Sequence, residues 1–397
     1  MTTALQIVFW VCAGLLVYAQ VGYGLVLAVL GRVVRRPGPG VPGASGAAGA
    51  AGSGAHPGSG AELPRVSLVV AAYREADVIA AKVANALALD YPRDRLQVVV
   101  ACDGSPDDTP ARARAAGADL VLELPRGGKI RAQDAAVEAA AGDVVAFSDA
   151  NALWEPDALR ALVAPFAADE RVGYVCGQVR FVNDEDGTNQ EGLYWRYEMW
   201  LRAMESRLAS VTGGNGAIYA TRRASYIVVD AVMGHDLSFP FNMVKRGWRA
   251  VYAPAARATE KMVPTIEGEF SRKTRMMSHA WPIVVKGGLL SPRGYSPLYA
   301  LMIFSHRALR YASPFLHLLA LAANVALVAA DGGALYVVTL ALQVLLLLAA
   351  VLAGAVRLRL LLVARYYVAT TASIATGWWS WARHGTPAGW APPEGTR

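Results

Sequence analysis

The amino-acid sequence predicts an α/β fold with a mostly parallel sheet, held between membrane-spanning helices. Three observations predict it. Short β-branched runs alternate with helical patterns between residues 65 and 167. Uncharged apolar stretches flank that region on both sides. Charged residues, only 17% of the chain, gather between those stretches. Strands that alternate with helices imply a parallel sheet covered on both faces.

In chain order, residues 4–31 carry no charge and exceed the roughly 20 apolar residues a helix needs to cross hydrocarbon. No basic segment precedes them, whereas Arg32, Arg35 and Arg36 follow. Residues 1–36 therefore read as an uncleaved anchor, with the chain cytoplasmic from residue 32 onward. Residues 37–63 are nearly all Gly, Ala, Pro and Ser and read as a flexible tether. His56 within it is incidental. A domain over 64–290 follows. Its first strands are expected at 65–73, 97–102, 120–124 and 143–147, and its first helices at 76–88, 107–116, 130–141 and 155–167. After residue 172 the pattern is less regular, with a strand at 173–180 and helices at 188–209 and 237–247.

Residues 291–397 return to the membrane. Residues 296–311 look amphipathic and interfacial. Residues 312–330 and 334–356 are two further candidate spans, joined by a tight turn at Asp331-Gly332-Gly333. Arg357 and Arg359 bring the chain back to the inside. Residues 360–381 form a fourth apolar stretch with Arg365, Trp378, Trp379 and Trp381. It crosses the bilayer or lies flat at its surface.

The chain is 54% hydrophobic, and 38 Lys and Arg against 31 Asp and Glu give a net charge of +7. Several of the positive charges sit beside apolar segments, so the excess is assigned to membrane topology. No zinc finger, RNA-binding signature or basic helix is present, and nucleic acid is not an expected partner. Three cysteines, Cys12, Cys102 and Cys176, lie in apolar runs without close pairing. They read as small buried residues in a reducing compartment.

In a parallel sheet, ligands bind outside the carboxyl ends of the strands. The first strand ends in Ala72-Tyr73-Arg74-Glu75, and the second in Asp103-Gly104-Ser105, with Asp107, Asp108 and Thr109 behind. The third is followed by Arg126-Gly127-Gly128-Lys129, and the fourth ends in Ser148-Asp149-Ala150-Asn151. These residues suit an aromatic and an acid for a base and ribose, a lysine near phosphates, and a carboxylate for a divalent cation. Mg²⁺ and Mn²⁺ prefer oxygen ligands and bind through one or two carboxylates plus substrate phosphates. The competing reading is that Asp and Ser after strands cap helices or make turns; for Asp107 or Asp108 alone it is the better one.

In this order and spacing, Ala71-Ala72-Tyr73-Arg74-Glu75, Asp103-Gly104-Ser105 with Asp107 and Thr109, Gly127-Gly128-Lys129 and Asp149-Ala150-Asn151 resemble glycosyltransferase family 2 over about residues 64–280. The likeness is to its membrane-bound branch, which includes cellulose, hyaluronan and poly-N-acetylglucosamine synthases. The resemblance implies a Rossmann-like nucleotide-diphospho-sugar transferase (GT-A) domain and Mg²⁺ or Mn²⁺ as cofactor. It implies that Tyr73 and Glu75 contact the nucleoside, Asp103 the uracil and Lys129 the nucleotide, and that Asp149 binds the metal on the donor diphosphate. Asn151 stands where the family usually has a second Asp. Its amide oxygen still ligates a hard cation, with one negative charge fewer.

The glycines of 211–220 match a region that lines the acceptor site in the family, or else form an ordinary turn. The aromatics Tyr194, Trp195, Tyr197 and Trp200 read as core more readily than as a sugar platform. Gly234-His235-Asp236 precedes a helix where the family carries its acidic general base, which implies Asp236 in that role; His235 replaces the usual first acid, and either tunes Asp236 or is an exposed turn residue. Processive members carry Gln-x-x-Arg-Trp where this chain has Arg272-Lys273-Thr274-Arg275-Met276. Arg275 is retained, and the resemblance implies that it stabilises the leaving diphosphate. The resemblance as a whole implies an inverting transferase from a nucleotide-sugar donor, a UDP-sugar, to a polysaccharide or lipid-linked saccharide at the inner face of the cell membrane. Four membrane segments make a slender channel, which leaves room for an export or assembly partner.

Overall fold

The computed structural model describes residues 2–33, 63–182, 191–261, 266–356 and 358–389. All but Leu63 of the expected tether over 37–63, together with Arg35, Arg36, Arg357 and the expected helix start at 188, lie outside them. The chain divides into two compact units. One comprises Met1–Val34, Glu185–Glu205 and Pro264–Thr386; the other comprises Arg35–Asp184, Ser206–Val263 and Pro387–Arg397.

The second unit is built on a single sheet of eight strands: β1 Val66–Ala72, β2 Leu96–Asp103, β3 Leu120–Leu124, β4 Val144–Asp149, β5 Leu153–Trp154, β6 Val172–Val182, β7 Tyr219–Arg222 and β8 Arg249–Lys261. Their order is β3-β2-β1-β4-β7-β6-β8-β5. The first four are parallel, with β1 between β2 and β4. β1 is buried along its whole length, which accounts for its near-continuous apolar sequence. Its one polar side chain, Ser67, is satisfied by Gln97 Oε1 at 2.6 Å. The helices Ile79–Leu87, Thr109–Ala115 and Lys129–Ala139 connect these strands. Ile79 and Val83 pack on Val70, Val100 and Cys102, and full burial of each such aliphatic side chain contributes about 1.5–3 kcal/mol.

Winding from β1 to β3 runs one way across the sheet, and β4 then starts the other way. The switch point between β1 and β4 opens a crevice at their carboxyl ends. Beyond β4 the sheet changes character: β7 is antiparallel to both β4 and β6, and β6 pairs with β8 in parallel through two register shifts. Cys102, in β2, and Cys176, in β6, are buried.

In the first unit, three helices among the described residues are long and apolar enough to cross a membrane: Thr2–Val33, Pro297–Ala329 and Ala334–Leu352. The segment 296–311 is thus continuous with the following span in one helix of 33 residues, through a π turn at Ile303–Ala308. Ala334–Leu352 leaves Leu335, Val338, Leu342, Leu345 and Leu348 exposed, a surface suited to hydrocarbon. Asp331, in the turn before it, takes a left-handed φ of +55°. The helix Arg359–His384 packs along Ile266–Val285, with Trp281 Nε1 donating to the Ile374 carbonyl at 3.0 Å.

Tyr197, half-buried, and Trp200, 40% exposed, lie against Gly24, so they sit at the edge of the packing and not in the core expected for them. On the same helix, Glu205 accepts from Tyr23 Oη at 2.6 Å and meets His306 Nδ1 at 2.7 Å. Glu198 meets His306 Nε2 at 3.2 Å and pairs with Arg310. Burial alone would raise the Glu198 carboxyl, but Arg310 and His306 outweigh it and hold it well below the usual range.

Candidate active site

The carboxyl ends of β1 and β2 are tied together by polar contacts. Arg74, with a left-handed φ of +55°, donates its N–H to Ser105 Oγ at 2.7 Å. Glu75, 1% exposed, donates its N–H to Thr109 Oγ1 at 2.9 Å. Asp107 accepts from the Thr109 hydroxyl at 2.6 Å and from the Ala76 N–H at 3.4 Å. Burial opposes its ionisation, and these bonds outweigh burial and lower its pKa. Asp107 is therefore a turn-forming residue, while Asp108 takes the N-cap position without a side-chain capping bond.

Asp103 is 1% exposed. Its carboxylate accepts the Gly127 N–H at 2.6 Å and the Gly128 N–H at 2.9 Å, and pairs with Arg126. Gly128, at φ +99°, turns the chain into the helix Lys129–Ala139, a conformation that favours glycine. Arg126 then lies over the Tyr73 ring, its Cζ 3.4 Å from the centroid. The two residues implied in base binding, Tyr73 and Asp103, are thereby joined by a third, Arg126, to which the sequence assigns no role.

Asp149 ends β4, and its carboxylate pairs with Lys129. Their side chains are 30% and 26% exposed, so both open onto the crevice. Burial alone would lower the Lys129 pKa; Asp149 first, and Asp236 as well, outweigh it and raise it. Below this pair the fully buried Lys82 donates to the Ala152 carbonyl at 2.6 Å. Burial pushes Lys82 down to about 7 against the pull of Asp149.

The loop over residues 211–217 joins this pair to Asp236. A Cβ on Gly216 would stand 3.5 Å from Lys129 Nζ and 3.7 Å from Asp149 Oδ2. Gly214 donates its N–H to the Asp236 carbonyl at 2.7 Å, and a Cβ there would meet Tyr174 Oη at 1.9 Å. The approach to Tyr174 requires glycine at 214, whereas a side chain at 216 would meet only ordinary contact distances. Asp236 lies in the first turn of the helix His235–Lys245, whose N-cap is Gly234, and it is half-buried.

His235 is not an exposed turn residue. It is 3% exposed, stacked on Phe239 at 3.9 Å and edged by Phe147 and Tyr226. Its Nδ1 lies 2.8 Å from Tyr219 Oη. Burial, and then the charge of Lys129, hold its pKa well below the ordinary value, so the imidazole is neutral.

Among the described residues, no group of three or more His, Cys, Asp or Glu side chains is placed to hold a metal by itself. Asp149 and Asn151, two residues apart on one partly exposed turn, supply one carboxylate and one amide oxygen. That set fits Mg²⁺ or Mn²⁺ only when substrate phosphates complete the shell. Arg275 lies on the helix Ile266–Val285, in the other unit.

The family model described as glycosyltransferase-like family 2 matches residues 64–278, more than half of the chain. The chain belongs to that family. It is 22% identical over 260 residues to a poly-β-1,6-N-acetyl-D-glucosamine synthase of Staphylococcus aureus, over 61% of each chain. It is 26% identical over 259 residues to a probable glycosyltransferase of Bacillus subtilis, over 57% of each. The chain therefore spans about three fifths of the length of the curated relatives it matches. Among solved structures, a mannosyltransferase from Pyrobaculum calidifontis, determined with GDP-Man and Mn²⁺, superposes with a TM-score of 0.69 at 23% identity, covering 97% of this chain and 100% of that one. The shared fold is the GT-A α/β fold of glycosyltransferases.

Proposed function

We propose that the chain is a membrane-anchored, inverting glycosyltransferase that moves a sugar from a UDP-sugar to a polysaccharide or lipid-linked saccharide at the inner face of the membrane. The observation that carries the proposal is the loop over 211–217. It lies against Lys129 and Asp149 through Gly216 and against Asp236 through Gly214. These contacts support the reading that a donor-side carboxylate and a candidate base serve one crevice.

Asp149 and Asn151 would hold Mg²⁺ or Mn²⁺, which neutralises charge on the donor diphosphate when bound. For that, Lys129 releases Asp149 and turns to the phosphates. Tyr73, Glu75 and Asp103 hold the nucleoside end, with Arg126 as a further contact. Asp236 accepts the proton of the acceptor hydroxyl. The acceptor oxygen bonds to the anomeric carbon as the carbon–oxygen bond to the diphosphate breaks, and the single displacement turns an α-donor into a β-linkage. Arg275 would pair with the departing diphosphate. Residues 64–290 form the catalytic part, between the anchor over 1–36 and the membrane segments of 291–397, and it faces the cytoplasm, as the arginines flanking the spans indicate.

Met276 stands where processive members carry tryptophan, and this favours a second reading: a single transfer to a lipid acceptor. Product length on a gel separates the two. The test of the main reading is a donor screen on the full chain in detergent, with UDP-N-acetylglucosamine, UDP-glucose and GDP-mannose, each with and without Mn²⁺ or Mg²⁺. Metal-dependent release of UDP is expected. UDP binding without release from any donor would make the chain a nucleotide-binding subunit instead.

A further inference from the structure

His235 and Tyr219 have no place in the chemistry above, yet they connect its two ends. Lys129 and Gln133 lie four residues apart on the helix Lys129–Ala139 and so share a face. Gln133, 1% exposed, donates from Nε2 to Tyr219 Oη at 3.1 Å. Tyr219, on β7, lies 2.8 Å from His235 Nδ1, and His235 precedes Asp236. Because Gln133 donates to the tyrosine oxygen, the tyrosine proton is free for Nδ1, and the imidazole proton sits on Nε2. His235 Nε2 has no partner among the described residues. A residue kept only for packing would not bring an unpaired polar atom into an aromatic cage, where it costs about 1–3 kcal/mol.

We propose that Gln133, Tyr219 and His235 form a hydrogen-bonded positioning chain that sets Asp236 against the Lys129–Asp149 pair. The inference rests on Asp236 being the base. These three are positioning residues, since at 1%, 1% and 3% exposed they offer a substrate no surface. One face of the helix Lys129–Ala139 holds the carboxylate of the donor side through Lys129 and the first turn of His235–Lys245 through Gln133, so a shift at one end is felt at the other. A neutral imidazole does this without adding charge beside Lys129, which the acid usual at this position in the family would.

The test uses the full chain in detergent, with the donor selected by the screen. Tyr219→Phe removes one oxygen and keeps the ring stacked on Phe147 at 4.7 Å. It is expected to lower kcat on the order of 10–100-fold, with donor KM and the affinity for UDP in calorimetry unchanged. His235→Asn, which keeps an acceptor near the tyrosine, is expected to retain more activity than His235→Leu. A packing role predicts the reverse. Turnover of Tyr219→Phe at the wild-type rate, or His235→Leu as active as wild type, would overturn the proposal. If Tyr219→Phe does not fold, Gln133→Leu tests the same split from the far end. Asp236→Asn is run in parallel. If it transfers at the wild-type rate, the base assignment fails and takes this proposal with it. If it is inert while Tyr219→Phe is normal, only the positioning chain is wrong.

Discussion

The β1–β4 half of the sheet and the β6–β8 half hold their functional groups by different physics. Around β1 to β4 the polar groups are anchored by several partners at once. Asp103 takes two backbone N–H groups and a guanidinium, and Asp149 takes Lys129. Around β7 and the helix His235–Lys245, position comes from stacked rings and single hydrogen bonds, and polar atoms of His235 and Thr221 are left without partners among the described residues. Satisfied charge networks fix a rigid cradle; aromatic packing with sparse polar links holds the turn that carries Asp236, the proposed base. The comparison suggests that damage to the first half removes binding and stability, and damage to the second removes turnover.

The largest effect is expected for Asp149→Ala. Loss of the only carboxylate on the β4 turn should abolish Mn²⁺-dependent UDP binding in calorimetry and reduce transfer about 10²–10⁴-fold. Binding at the wild-type level would erase the distinction between the halves. Asp103→Ala comes next. It strands two glycine N–H groups and Arg126, and should destabilise the fold by roughly 3 kcal/mol, read as a lower melting temperature in detergent.

Lys82 gives a smaller, pH-dependent effect. Folded, burial sets it at about 7; unfolded, it holds its proton to about 10.4. Between those values the unfolded state binds more protons, so stability rises with pH. The melting temperature of the native chain relative to Lys82→Met should therefore climb from pH 7 to pH 10, on the order of 5 °C. A flat difference would mean that Lys82 keeps its charge in the fold. The smallest effect belongs to the exposed pair Arg160–Asp90, at 3.0 Å with side chains 42% and 60% exposed. Arg160→Ala should cost under about 1 kcal/mol.

The same divide separates what the sequence discloses from what it hides. β1 to β4 are legible because buried parallel strands are short apolar runs bounded by turns, and the expected bounds, 65–73 against Val66–Ala72 for example, differ by a residue at each end. β7 escapes notice because Tyr219–Arg222 is too short to show a period. β8 escapes because Arg249–Lys261 carries a proline and five alanines in place of β-branched residues, its place being set by pairing with β6. Asp149, Lys129 and Asp103 announce themselves at strand ends. Arg126 does not, since only the fold lays it over Tyr73, and Gln133 reaches Tyr219 across 86 positions of sequence. His235 looks like a turn residue until Phe147, Tyr226 and Phe239 close around it.

The most direct measurement is the transfer rate of Asp236→Asn beside its affinity for UDP in the presence of Mn²⁺. If Asp236 is the base of a site whose donor side is held separately by Asp149, UDP binds as in the native chain and transfer falls at least about 100-fold. Transfer at the native rate would contradict the account.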